Sequence, residues 1–285
     1  MMCLGAAGMQ ADAAQKTEDS KIEKTTEQEA EENTKNLSGL MKELEEKLPE
    51  DNGNWSVYVC DLKSGAEASI ESHPMQSASF IKLYIMGAVY ENYEELAEIY
   101  GSDVLDANLF PMITVSDNDS ANFLTECLGK GDTQEGMRIV TEFCEKHGYQ
   151  DSGMGRLLLH SNEFGDNYTS VTDAGHFLKE IYESLHGGEE KKLTHTEEMF
   201  DLLSQQQTRY KIPSKLPENV KVANKTGELF DVENDAAILY DTPEGNDLVI
   251  VFMSDSLNDV YQAHDTIGTL SRYIYDYYNK GEAVG

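Results

Sequence analysis

The chain has 285 residues, with 53 acidic against 22 basic side chains, a formal net charge of −31 and 39% hydrophobic residues. That is enough apolar material for one large domain or two small ones, while so negative a surface repels phosphate backbones and argues against nucleic acid as a partner. Four cysteines (Cys3, Cys60, Cys127, Cys144) are too few for a disulfide scaffold and, like the seven histidines, show no metal-ligand spacing. No metal and no other cofactor is expected, and spacing leaves open whether Cys127 and Cys144 pair.

Residues 1–15 are rich in small side chains, with an Ala-x-Ala pattern at Ala11 and Ala13. They read as the end of a secretory signal without its basic start, and Cys3 is a candidate for lipid attachment. The expected location is therefore outside the cytoplasm, free or anchored at the cell surface. Residues 16–35 contain Ile22 as their one large apolar residue and read as an acidic, disordered tether. No later stretch approaches the roughly 20 apolar residues of a membrane span. One domain is expected over residues 36–285.

Within it, Leu37, Leu40, Met41, Leu44 and Leu48 recur at helical spacing up to Pro49. Trp55–Asp61 alternates as a strand, Lys63-Ser-Gly65 turns, and Ala66–Ser72 returns. Helical periodicity then runs from Tyr84 to Ser204, broken by loops at Gly101–Asp106, Gly129–Thr133 and Gly148–Tyr168. Val171–Leu185 and Thr196–Gln206 are its last helices, the former capped by Ser170 or Thr172. Strands resume at Val220–Lys225, Ala236–Asp241 and Leu248–Ser254, the last two joined through Thr242–Asn246, and an amphipathic helix closes the chain from Asn258 to Asn279. Strands from both chain ends with helices between them imply an α/β (α+β) fold: an antiparallel sheet of about five strands flanked by helices, with an inserted helical lobe.

Between lobe and sheet the chain carries Ser79-Phe-Ile-Lys82. Three residues apart on a helix, serine and lysine share a face. From Ile81 to Tyr90 everything but Lys82 and Gly87 is apolar or aromatic, the pattern of a helix buried on all sides. Burial lowers a lysine pKa and equips it to accept a serine proton. The pair fixes only two residues, and Lys82 can equally snorkel to the surface. Ser116-Asp117-Asn118 precedes a helix over Ser120–Leu128, where it can be an ordinary cap. Lys225-Thr226-Gly227 ends a strand.

Ser-x-x-Lys, Ser-Asp-Asn and Lys-Thr-Gly in this order resemble the motif set of class A β-lactamases and penicillin-binding proteins. The resemblance covers residues 36–285, with softer echoes at Ile212-Pro, Leu216-Pro and Asn234-Asp-Ala-Ala. It implies that Ser79 is the nucleophile, Lys82 its proton acceptor or relay, and Ser116 the donor to the leaving nitrogen. Backbone N–H groups of Ser79 and of Glu228, just past Gly227, would form the oxyanion hole. Asn118 would bind the substrate's side-chain amide, and Lys225 and Thr226 its carboxylate, with Arg209 as a helper or a plain surface charge. The implied partner is a small β-lactam, or alternatively a D-alanyl-D-alanine cell-wall peptide, met by a monomer. A third reading is a sensor that is acylated or occupied with little turnover. The chain departs from the family pattern in two places. The segment between the Ser79 helix and Ser116 is short, and so is the Ω-type loop that should carry the deacylating base. Its one acid, Glu163, has Asn167 four residues on, while Arg156 and Asp166 are the candidate pins of the loop.

Overall fold

The computed structural model describes residues 36–187 and 193–280. The expectations for a signal segment, a lipidated Cys3 and a tether lie outside these residues. Helix α1 covers residues 36–47. It is followed by β1 (Asn54–Asp61), β2 (Glu67–Ile70) and the short β3 (Met75–Gln76). A 3-10 turn, Ala78–Phe80, leads into α2 (Ile81–Glu91), and α3 (Tyr93–Tyr100), α4 (Ser102–Thr114), α5 (Asn118–Leu128) and α6 (Thr133–His147) follow. Then come β4 (Tyr168–Thr169), α7 (Val171–Leu185), α8 (Thr196–Ser204), β5 (Lys221–Leu229), β6 (Val232–Tyr240), β7 (Leu248–Asp255) and α9 (Val260–Asn279).

The main sheet has the order β2-β1-β7-β6-β5, antiparallel throughout, so the first hairpin is joined to the late strands by β1 against β7. Successive strand side chains point to opposite faces, and each face has its own core. Val57, Val59, Ile250 and Phe252 pack with Leu40 and Leu44 of α1 and with Ile267 and Ile274 of α9. Tyr58, Cys60, Val249 and Val251 pack with the helical lobe, including Ile85, Val89, Phe177 and Leu178. α2 runs through the middle of that second core, with all ten residues from Ile81 to Tyr90 buried. No helix among the described residues is long and apolar enough to cross a membrane.

Three local expectations are corrected, and one open question is answered. The loop expected over Gly101–Asp106 is a single residue, because Gly101 ends α3 at φ +91° and α4 starts at Ser102. α5 starts at Asn118, two residues early, because the Asp117 side chain accepts the Ser120 N–H as its cap. β5 continues past Lys225 to Leu229, and β6 begins at Val232, only Phe230 and Asp231 separating them. Cys127 and Cys144 are both free and buried.

Candidate active site

The turn that carries Ser79 is held from two sides. β3 pairs with β4, matching Met75 with Thr169 and Gln76 with Tyr168, and the Ser77 N–H donates to Asn167 O at 2.9 Å. From the sheet, Asn234 Nδ2 of β6 donates to Gln76 O (3.0 Å) and Ser77 O (3.2 Å). Ala78 sits at φ +47°, a left-handed backbone that a side chain disfavours and that these contacts maintain. β5 closes on the same turn: a Cβ on Gly227 would come 2.7 Å from Ser77 O and 3.2 Å from Ser79 N. Only glycine lets the strand backbone approach this closely.

Lys82, on the first turn of α2, is fully buried, and its Nζ reaches four oxygens. These are Ser79 Oγ at 2.9 Å, Ser116 O at 2.6 Å, Ser116 Oγ at 3.0 Å and Asn118 Oδ1 at 2.8 Å. Ser116, at φ +60°, turns both its carbonyl and its hydroxyl toward this amine. Burial pushes Lys82 down to about 7, with the Asp117 carboxylate opposing. As a neutral amine it has two N–H groups and one lone pair. Ser116 O and Asn118 Oδ1 accept only, so they take the two N–H groups and leave the lone pair to a serine O–H.

Lys225, also fully buried, donates to Ser116 Oγ at 2.9 Å and to Thr226 O at 2.8 Å. Burial, with Lys82 and Lys211 adding to it, holds its ammonium well below the usual lysine range. Ser116 Oγ therefore lies between the two amines, accepting from Lys225 and standing 3.0 Å from the Lys82 nitrogen. The five polar side chains expected from the sequence, Ser79, Lys82, Ser116, Asn118 and Lys225, thus form one connected cluster at the lobe–sheet seam, with Thr226, Gly227 and Glu228 following along β5.

Glu163 and Arg209 are outside it. The loop 157–165 is pinned at its base by Arg156 Nε, which donates to Asp166 Oδ1 (2.6 Å), and Gln76 Nε2 donates to Asp166 Oδ2 (2.7 Å). Asp166 is a pin, as expected, and its carboxyl is held below its ordinary range: burial works against this, and the Asn167 N–H, Gln76 and Arg156 prevail. Asn167 Oδ1 accepts the Gly155 and Arg156 N–H groups at 3.0 and 3.1 Å. Glu163 lies exposed on the loop, and among the described residues its carboxylate has no hydrogen-bond or ion-pair partner. Arg209 caps the outer edge of the sheet, donating to Val222 O (3.0 Å) and Asn224 Oδ1 (3.2 Å).

Three contributors had no assigned role in the sequence reading: Asn234, Gln76 and Lys211. Lys211 is fully buried and bridges Glu228 Oε1 (3.2 Å) and Glu233 Oε2 (2.7 Å). Two acids flanking an asparagine inside an otherwise apolar strand, Glu233-Asn-Asp235, are the available signal.

A serine beside a buried, pKa-depressed lysine, with a second serine between two lysines, is an arrangement able to activate a serine hydroxyl. Residues 39–97 and 105–278 match the family described as the beta-lactamase enzyme family, and the chain belongs to it as a hydrolase. A search of curated protein sequences returned no match. Among solved structures, PBP-A is similar at 21% identity and TM-score 0.72 over 86% of this chain and 97% of that one. A point mutant of PBP-A, described as an acyl-enzyme complex with penicillin G, matches at 21% identity and TM-score 0.71, with 86% and 97% covered. The β-lactamase from Sphaerobacter thermophilus matches at 20% identity and TM-score 0.67, with 84% and 97% covered.

Proposed function

We propose that the protein forms an acyl-enzyme on Ser79 with β-lactams and releases it slowly. The observation that carries the reading is the Lys82 amine, fully buried and 2.9 Å from Ser79 Oγ. In the acylation step Ser79 Oγ bonds to the lactam carbonyl carbon and its proton passes to the Lys82 lone pair. The oxyanion that develops faces the N–H groups of Ser79 and Glu228. Collapse breaks the C–N bond, and the nitrogen receives a proton from Ser116 Oγ, which Lys82 replaces. The result is an ester on Ser79, a ring-opened amine and a regenerated neutral lysine.

Hydrolysis of that ester needs a water and a base. Glu163, the acid expected for this role, is exposed and unpartnered, and Asn167 Oδ1 is already committed to backbone N–H groups. This supports slow release, as does the likeness to PBP-A, whose penicillin G adduct was captured in a mutant. Labelling with a fluorescent penicillin tests the reading. Wild type is expected to give a covalent band that survives denaturation, and Ser79→Ala and Lys82→Met to give none. Equal labelling of Ser79→Ala would remove the proposed nucleophile.

A further inference from the structure

The register of β5 sorts its side chains. Lys225 is turned to Ser116 on the lobe side, so Thr226 and Glu228, at the alternate positions, belong to the other face. Their direct partners on β6, Asp235 opposite Thr226 and Glu233 opposite Glu228, share that face. Thr226 therefore shares its sheet face with three carboxylates, of which only Glu228 is exposed. Asp235 Oδ2 accepts the Ile212 N–H at 2.9 Å and Oδ1 accepts Asn224 Nδ2 at 2.9 Å. Glu233 is buried against Lys211 at 2.7 Å, with His264 Nε2 3.0 Å from its other oxygen. Glu228 accepts from Tyr210 Oη (2.5 Å) and Lys211 Nζ (3.2 Å), yet its side chain keeps 41% of its surface in solvent.

The cations nearby are turned to other partners, although Arg209 meets only neutral oxygens. Lys211 is divided between two carboxylates, the Arg209 guanidinium is turned to Val222 O and Asn224, and Lys225 points to the opposite face. A carboxylate arriving at Thr226 would stand about 7 Å along the strand from the Glu228 carboxylate, which repels it. An amide or ammonium group there would instead donate to the exposed Glu228 oxygen.

We infer that Glu228 is a specificity-determining residue that selects against a substrate carboxylate at the β5 end of the cleft and for an uncharged or cationic hydrogen-bond donor there. This rests on the Ser79 acyl-enzyme reading, with the substrate lying along β5 past Gly227. The chemistry it favours is a peptide or lactam whose carboxyl group next to the scissile bond is amidated or otherwise neutralised.

The test compares benzylpenicillin with its methyl ester, reading the second-order rate of adduct formation in wild type, Glu228→Gln and Glu228→Thr. Two variants are used so that a folding defect in one leaves the other. Removing the charge is expected to raise the rate of the acid relative to that of the ester about tenfold. An unchanged or lower ratio would overturn the inference. Binding is measured in parallel by calorimetry with N-acetyl-D-alanyl-D-alanine and its C-terminal amide. The amide is expected to bind wild type about tenfold tighter and to lose that advantage in Glu228→Gln. Failure of both penicillin forms to acylate wild type would sink the acyl-enzyme reading alone, and the peptide pair would then decide: equal binding, or none, rejects the role of Glu228.

Discussion

Acylation of Ser79 followed across pH is expected to climb along a limb set by Lys82. Burial depresses this lysine to about 7, and only the neutral amine offers a lone pair to the serine proton. The neutral fraction is then about one hundredth at pH 5, about a tenth at pH 6 and about nine-tenths at pH 8. The rate of adduct formation should therefore rise about tenfold from pH 5 to 6 and about fivefold from pH 6 to 7, and change less than twofold between pH 8 and 9. Asp117→Asn sharpens the test. Asn keeps a cap for α5, but the change removes the carboxylate that opposes the depression, so the limb should move to lower pH. The assay is stopped-flow labelling with a fluorescent penicillin in buffers of constant ionic strength. A rate still rising tenfold per unit through pH 9 would mean an ordinary, solvated lysine. A profile flat from pH 5 would mean that Lys82 takes no proton.

Three further changes test the surroundings. Gly227→Ala puts a methyl 2.7 Å from Ser77 O, forcing β5 off the turn. It should cost about 1–3 kcal/mol of stability and slow acylation about a hundredfold, measured by thermal unfolding and by labelling; an unchanged rate would mean that the strand does not help form the oxyanion hole. Arg156→Ala leaves the largely buried Asp166 without its ion-pair partner, and new protease cleavage within residues 157–165 is expected, with acylation less affected than loop integrity. Glu163→Gln should leave the lifetime of the adduct within twofold of wild type, followed by mass spectrometry; a tenfold longer lifetime would show that the loop delivers this carboxylate to the ester.

How much of this was legible in the sequence depended on which residues carried the signal. β1 and β7 declare themselves because each strand alternates between two apolar cores, Val57 and Val59 against one and Tyr58 and Cys60 against the other. The Ser79–Lys82 helix declares itself because a single lysine interrupts a run of apolar residues. The start of β6 was missed for the opposite reason. Its buried Glu233, Asn234 and Asp235 do not look like strand interior, and they are there because they hold the Ser79 turn and surround Lys211. β3 and β4, two residues each, are too short for periodicity to register, yet they tie the 157–165 loop to the Ser79 turn. The sequence marks Arg209, one of few arginines, as a possible helper and gives Lys211 no role. Only the packing shows that the arginine caps a sheet edge while the lysine, two residues on, is buried between two acids. Where polar side chains occupy core positions, hydrophobic patterning misplaces the element, and those positions cluster around the site.

The most direct test of the central claim is intact-mass spectrometry of the protein mixed with excess penicillin, sampled over time and followed by peptide mapping. The account predicts a mass increase equal to the whole drug, located on the peptide containing Ser79, persisting for many minutes and absent from Ser79→Ala. No adduct at any time with the drug intact, or an adduct on another residue, would contradict it.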